Sequence, residues 1–199
     1  MEAGTVYFFT GLSGAGKTTI GGLFYRRLRA RKPDAVLIDG DTLRDMLAGT
    51  VPMPFSGELQ QTLRRVALRA HDYTYAGRLE GARALFRVCR ALAEQGRDVV
   101  CCSISMYRSV RRWNRAQIPN YREIYIKASR ETLCRRDQKG LYSSGAKNVV
   151  GVDIPAEEPE APDVVIQNDG AETPEQIVAR LEKRLGLWAS APEYAAPHG

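Results

Sequence analysis

The segment Gly11-Leu-Ser-Gly-Ala-Gly-Lys-Thr18 constrains this chain more than any other. It fits the spacing G-x-x-x-x-G-K-[ST], in which successive backbone amides curl around phosphate oxygens. Gly11, Ser13, Gly14, Ala15 and Gly16 are small enough for the backbone to approach an anion without side-chain clash. Lys17 has the reach to meet the outer phosphates of a nucleotide, Thr18 brings a hydroxyl suited to a divalent cation, and Thr19 continues the same turn. The flanks agree with this reading. Val6–Phe9 is a wholly apolar run, as expected of a buried parallel strand. Residues 17–31 carry Ile20, Leu23, Phe24 and Leu28 at helical spacing, so a helix directs its positive end at the loop.

The rest of the chain alternates in the same way. Short apolar runs at 35–38, 98–104, 124–126 and 164–166 read as strands, and residues 42–47, 58–95, 129–136 and 174–185 read as helices. Residues 58–95 hold enough periodicity for two helices with a break near Tyr75–Gly77. Ser129 is placed as an N-cap, and Thr173-Pro-Glu-Gln176 is a capping box with proline in the first helical turn. Pro52, Pro54 and Gly57 make 51–57 a loop, Gly140 and Gly145 interrupt 139–150, and the acidic, proline-rich 152–162 is extended. The expected fold is α/β, a three-layer sandwich of the P-loop NTPase type. Its central parallel sheet has about five strands, with helices on both faces and a short lid. One domain is expected over 1–188, with the lid at about 138–150 and a flexible tail at 189–199.

Composition narrows the class. No run approaches the ~20 apolar residues of a membrane span, and the acidic N-terminus leading straight into a strand carries no signal-peptide pattern. A cytoplasmic protein without membrane contact is expected. The net charge of +6 is mostly arginine. Neither a nucleic-acid module nor an aromatic-interleaved basic stripe accompanies it, so the arginines are assigned to anionic small molecules, which their planar forks bind bidentately. Cys89, Cys101, Cys102 and Cys134 lack metal-type spacing, and the adjacent pair is expected to pack as small hydrophobes.

Asp39-Gly-Asp41 follows the second strand, on the side of an open sheet where ligands gather. One acid could support Mg²⁺ while the other accepts the proton of an attacking hydroxyl. The third strand ends in Ser103-Ile-Ser105, with no aspartate to serve as the usual further cation ligand. Together with the first motif, Asp39-Gly-Asp-Thr-Leu-Arg44, Ile104-Ser-Met-Tyr-Arg108, Arg136-Asp-Gln-Lys-Gly-Leu-Tyr142 and Gly151-Val-Asp-Ile-Pro155 resemble the adenylylsulfate (APS) kinase family, from about Thr5 to Arg184. The resemblance implies transfer of the ATP γ-phosphate, with Mg²⁺, to the 3′-hydroxyl of APS. It implies Asp41 as base, Thr18 and Asp39 at the metal, Lys17 on the phosphates and Arg136 at the nucleotide. Arg44 and Arg78 would clamp the acceptor, with Asp39, Ser105, Met106, Tyr107, Arg108, Lys139, Gly140 and Leu141 around it.

The departures from that family fall on the acceptor side. Gly81 and Ala84 stand where an asparagine and an arginine are usual, and Met106 stands for a proline. The lid reads Asn148-Val-Val150 where a phenylalanine normally stacks on a base, a loss worth about 1–3 kcal/mol. The Trp113-Asn-Arg115 and Asn148–Asp153 regions resemble a divergent branch that phosphorylates a cytidine diphosphoramidate, which is the alternative acceptor. A P-loop switch acting through partners is the alternative outside enzymology, but it needs neither the second acid nor the lid. Relatives are often dimers, so a homodimer is a possible assembly.

Overall fold

The computed structural model describes residues 2–39, 74–137, 140–145 and 147–188. Five strands are seen: β1 (Thr5–Thr10), β2 (Val36–Asp39), β3 (Val99–Cys102), β4 (Asn120–Lys127) and β5 (Val164–Gln167). Five helices accompany them among the described residues: α1 (Lys17–Arg29), α2 (Tyr75–Glu94), α3 (Arg108–Gln117), α4 (Arg130–Arg136) and α5 (Pro174–Arg184). The strands form one sheet in the order β2-β3-β1-β4-β5, every neighbouring pair parallel. The expected α/β sandwich with a five-stranded parallel sheet is therefore present.

Period-two alternation along β1 and β3 explains why those strands are apolar throughout. Val6, Phe8, Val99 and Cys101 face α2 and α3, where Phe86 meets the Phe8 ring edge-on at 4.7 Å. Tyr7, Phe9, Val100 and Cys102 face the opposite way, toward Ile20, Phe24 and Leu28 of α1 and Ile177, Val178 and Leu181 of α5. Both faces of the sheet are thus covered, and three of the four cysteines are buried, as expected of small apolar side chains.

Local signals set the helix boundaries. Ser129 and Thr173 accept from the backbone N–H three residues on, and Gln176 closes the capping box. The expected break near Tyr75 coincides with the start of α2, capped by Thr74, whose side chain accepts from Gly77 N. Trp113 packs against the core beneath α2 and α3. Trp188 packs beside α1, where the Arg31 guanidinium lies 4.1 Å from its ring. The helix expected at 42–47, the loop at 51–57, the helix between 58 and the break, and the tail at 189–199 lie outside the described residues. No described helix is long and apolar enough to cross a membrane.

Candidate active site

The loop between β1 and α1 is shaped by glycines that tolerate no side chain. Gly11, Gly14 and Gly16 all have positive φ, a region that strains L-residues. An ideal Cβ on Gly11 would lie 2.1 Å from the Ile126 carbonyl oxygen, and one on Gly16 would lie 2.4 Å from Asn168 Nδ2. Gly16 caps α1 with no side-chain hydrogen bond, so the N-terminal end of the helix opens into the loop. Three remote side chains brace the loop from behind. Asn168 Nδ2 donates to the Ala15 carbonyl at 2.8 Å, Tyr142 Oη to Ser13 O at 2.9 Å, and Arg136 Nη1 to Gly14 O at 3.2 Å. Each fixes a carbonyl outward, which leaves the amides of the loop directed inward. Lys17 Nζ donates to the Leu12 carbonyl at 2.8 Å, tying the ammonium to the loop that it follows.

The end of β2 meets this cradle. Thr18 Oγ1 donates to Asp39 Oδ2 at 2.8 Å. Two hard oxygen donors so placed suit Mg²⁺, which keeps several waters and phosphate oxygens and needs few protein ligands. No group of three or more His, Cys, Asp or Glu that could hold a metal occurs among the described residues. Cys102 lies behind the cradle, its Sγ 3.6 Å from the Lys17 carbonyl. Burial first, then the Asp39 charge, pushes its thiol up to about 12, so it stays protonated beside the loop. Thr19 is exposed on α1. Asp41, Arg44 and Lys139 lie outside the described residues.

On the far side of β3 the chain turns sharply. Ser105 has φ 26°, an uncommon conformation for a non-glycine residue, held by a 2.7 Å contact between its hydroxyl and that of Ser103. Thr10 Oγ1 donates to the Ile104 carbonyl, anchoring the turn to β1. Met106 and Tyr107 are buried behind it. The Tyr107 hydroxyl has no hydrogen-bond partner among the described residues, and burial foremost pushes it up to about 12. Arg108 turns outward, its guanidinium 2.7 Å from Glu160.

Arg78, one turn into α2, donates from Nη2 to the Asn148 carbonyl at 2.8 Å. It therefore touches the turn 148–154, where the Asp153 carboxylate accepts from Asn148 N and Val149 N. Gly151 in this turn sits against Leu12 of the phosphate loop, its ideal Cβ position 2.8 Å from a Leu12 methyl. Val149 and Val150 are buried rather than displayed. Gly140 and Leu141 are half-buried beside Asp137, whose carboxylate accepts from Tyr142 N and Ser143 N and is held below its ordinary range first by the Ser143 side chain and then by the Tyr142 amide. Among the described residues the expected site residues thus fall into a loop cluster at Gly11–Thr18 with Asp39 and Arg136, and a second cluster at Ser105–Tyr107 with Arg78. Sequence reasoning passed over Asn168 and Glu157, and it quoted Tyr142 and Asp153 only as members of motifs, without the contacts they make here. Asn168 carried a positional signal, standing at the carboxyl end of a strand.

Comparison with known proteins agrees with this geometry. The family model described as adenylylsulphate kinase matches residues 3–80 and 60–167. The cytidine diphosphoramidate kinase of Campylobacter jejuni is 35% identical over 186 residues, covering 92% of this chain and 96% of that protein. The adenylyl-sulfate kinase of Picosynechococcus sp. is 34% identical over 189 residues, covering 92% and 95%. Among solved structures, the APS kinase CysC of Mycobacterium tuberculosis in complex with AMPPNP and APS superposes with a TM-score of 0.73 at 25% identity, covering 94% of this chain and 99% of that one. With a phosphate cradle after β1, an acid at the end of β2 and a matching sheet, this chain belongs to the adenylylsulphate kinase family of ATP-dependent phosphotransferases.

Proposed function

We propose that the protein transfers the γ-phosphoryl group of ATP to the ribose 3′-hydroxyl of a nucleotide-linked acceptor, and that this acceptor is cytidine diphosphoramidate. The observation that carries the choice is the turn 148–154. Val149 and Val150 are buried at 4% and 7% exposure where the family's stacking phenylalanine is expected. Without that platform, about 1–3 kcal/mol of stacking is missing, and the loss weighs most against a purine acceptor such as APS. The similarity to the Campylobacter jejuni kinase over nearly the whole of both chains supports the same reading. APS is the second reading, favoured by the family match and by relatives such as the Picosynechococcus enzyme.

In this mechanism the amides of Gly11–Thr18 hold the triphosphate, and Lys17 draws charge from its β- and γ-oxygens. Thr18 and Asp39 would hold Mg²⁺, which neutralises phosphate charge when bound. Asp41 takes the proton from the acceptor hydroxyl, the freed oxygen bonds to the γ-phosphorus, and the bond to the ADP oxygen breaks. Arg44 and Arg78 hold the acceptor's anionic 5′-group through bidentate contacts. Tyr107, with a buried hydroxyl lacking a partner among the described residues, offers a further contact on the acceptor side.

The test compares ADP release from saturating magnesium-ATP with cytidine diphosphoramidate, APS, CDP and cytidine as acceptors. The diphosphoramidate should stimulate most strongly. Stimulation by APS alone would replace the first reading by the second. No stimulation by any of them would remove the kinase assignment to a nucleotide-linked acceptor.

A further inference from the structure

Helix α3 opens directly after the Ser105–Tyr107 turn, yet its own sequence does not cap it. The Tyr107 side chain makes no cap bond, and the first turn carries no acid. An unsatisfied N-terminal N–H needs an acceptor from elsewhere. Glu157, in the acidic strap that follows the 148–154 turn, supplies it: Oε2 accepts from Arg108 N at 2.5 Å. Its other oxygen, Oε1, accepts from the Tyr75 hydroxyl at 3.2 Å, and Tyr75 is the first residue of α2. Glu157 N donates to the Met106 carbonyl at 3.2 Å. The Tyr75 ring, in turn, stands edge-on to Tyr107 with centroids 5.2 Å apart.

One carboxylate therefore joins the starts of the two helices that bear Arg78 and the Ser105–Tyr107 turn. Of the neighbouring acids, Glu158 meets Lys127, and Glu160 meets Arg108 through its guanidinium, leaving the Arg108 N–H to Glu157. The Tyr75 hydroxyl is raised above its ordinary value, first by partial desolvation and then by the charge and hydrogen bond of Glu157, in agreement with the contact.

We propose that Glu157 is a positioning residue for the phosphoryl acceptor, its carboxylate holding the starts of α2 and α3 in the register that lets Arg78 and the Ser105–Tyr107 turn engage one molecule. The inference rests on the reading of these two elements as the acceptor pocket. The contacts of Glu157 among the described residues run to Tyr75, Met106 and Arg108 rather than to the phosphate loop, so its loss should be felt by the acceptor and not by ATP.

The test is steady-state kinetics on the full chain with magnesium-ATP and cytidine diphosphoramidate, or APS if that proves the better acceptor. In Glu157→Gln the acceptor KM should rise about tenfold, while the ATP KM stays within about twofold of the parent. Tyr75→Phe, which removes one hydroxyl, should raise the acceptor KM about threefold in the parent and add nothing in the Glu157→Gln background, because the two act through one contact. An unchanged acceptor KM in Glu157→Gln, equal losses for both substrates, or Tyr75→Phe and Glu157→Gln effects that simply multiply would each overturn the proposal. Should Glu157→Gln fail to fold, Tyr75→Phe decides alone, and an unchanged acceptor KM there overturns it. Parent protein that responds to no nucleotide-linked acceptor would sink the function reading beneath it, an outcome visible before any variant is made.

Discussion

A single methyl group at Gly11 or Gly16 would collide with the Ile126 carbonyl or the Asn168 amide and force the phosphate loop out of shape. That is why the loop was readable from residue types alone: glycine is required by close approach and by positive φ together. Asp41 belongs to the same scale. If it takes the acceptor's proton, Asp41→Asn should slow turnover by about 10²–10⁴-fold with magnesium-ATP binding retained. Turnover near the parent rate in a single-turnover assay would reduce it to a turn residue. The places of Lys17 and Thr18 were legible because the motif fixes their spacing, and that of Asp39 because it ends the second strand, on the side where ligands gather. Asn168, Tyr142 and Glu157 were not, since each acts on a backbone atom far away in sequence, 153, 129 and 49 residues off, and only the folded sheet brings them there.

At the scale of elements, local chemistry and remote acids divide the work of ending helices and fixing turns. The caps at Ser129 and Thr173 could be read directly, because cap and recipient lie three residues apart. The start of α3 could not, because its acid arrives from the strap. The turn 148–154 sits between these cases. Asp153 lies within the turn that it closes, but Asn148 at φ 61° gives no glycine signal. The backbone N–H of Asn148, foremost, holds the Asp153 carboxyl below its ordinary range. A group with a lowered folded pKa stabilises the fold above its unfolded value, near about 3.9 for aspartate, and that contribution disappears as pH falls through the folded value. The Asn148 and Val149 amides should therefore lose protection from hydrogen exchange on acidification below about pH 4, and in Asp153→Asn at neutral pH. Unchanged protection in the variant would show that packing of Val149 and Val150 alone holds the turn.

Across the whole molecule, the sheet order β2-β3-β1-β4-β5 puts the loop after β1 between the ends of β3 and β4, with β2 contributing Asp39 from beyond β3. The alternation of strands and helices made this class of fold legible, and the apolar strands foretold two covered faces. The strand order was not legible, because parallel crossovers leave no local trace in sequence. Nor was the ion network that fastens α3 to the sheet. Arg111 and Arg115 both meet the buried Glu123 of β4, and Arg115 also reaches Asp163 ahead of β5. Through these contacts α3 is tied to the same sheet that carries the phosphate loop. The most direct test of that arrangement is the fate of the γ-phosphorus, followed by ³¹P NMR in a mixture of protein, magnesium-ATP and cytidine diphosphoramidate. A new phosphomonoester resonance coupled to the ribose 3′-proton, appearing in step with ADP and leaving the 5′-diphosphoramidate intact, is the expected result. Release of the γ-phosphate only as inorganic phosphate, at a rate indifferent to the acceptor, would contradict it.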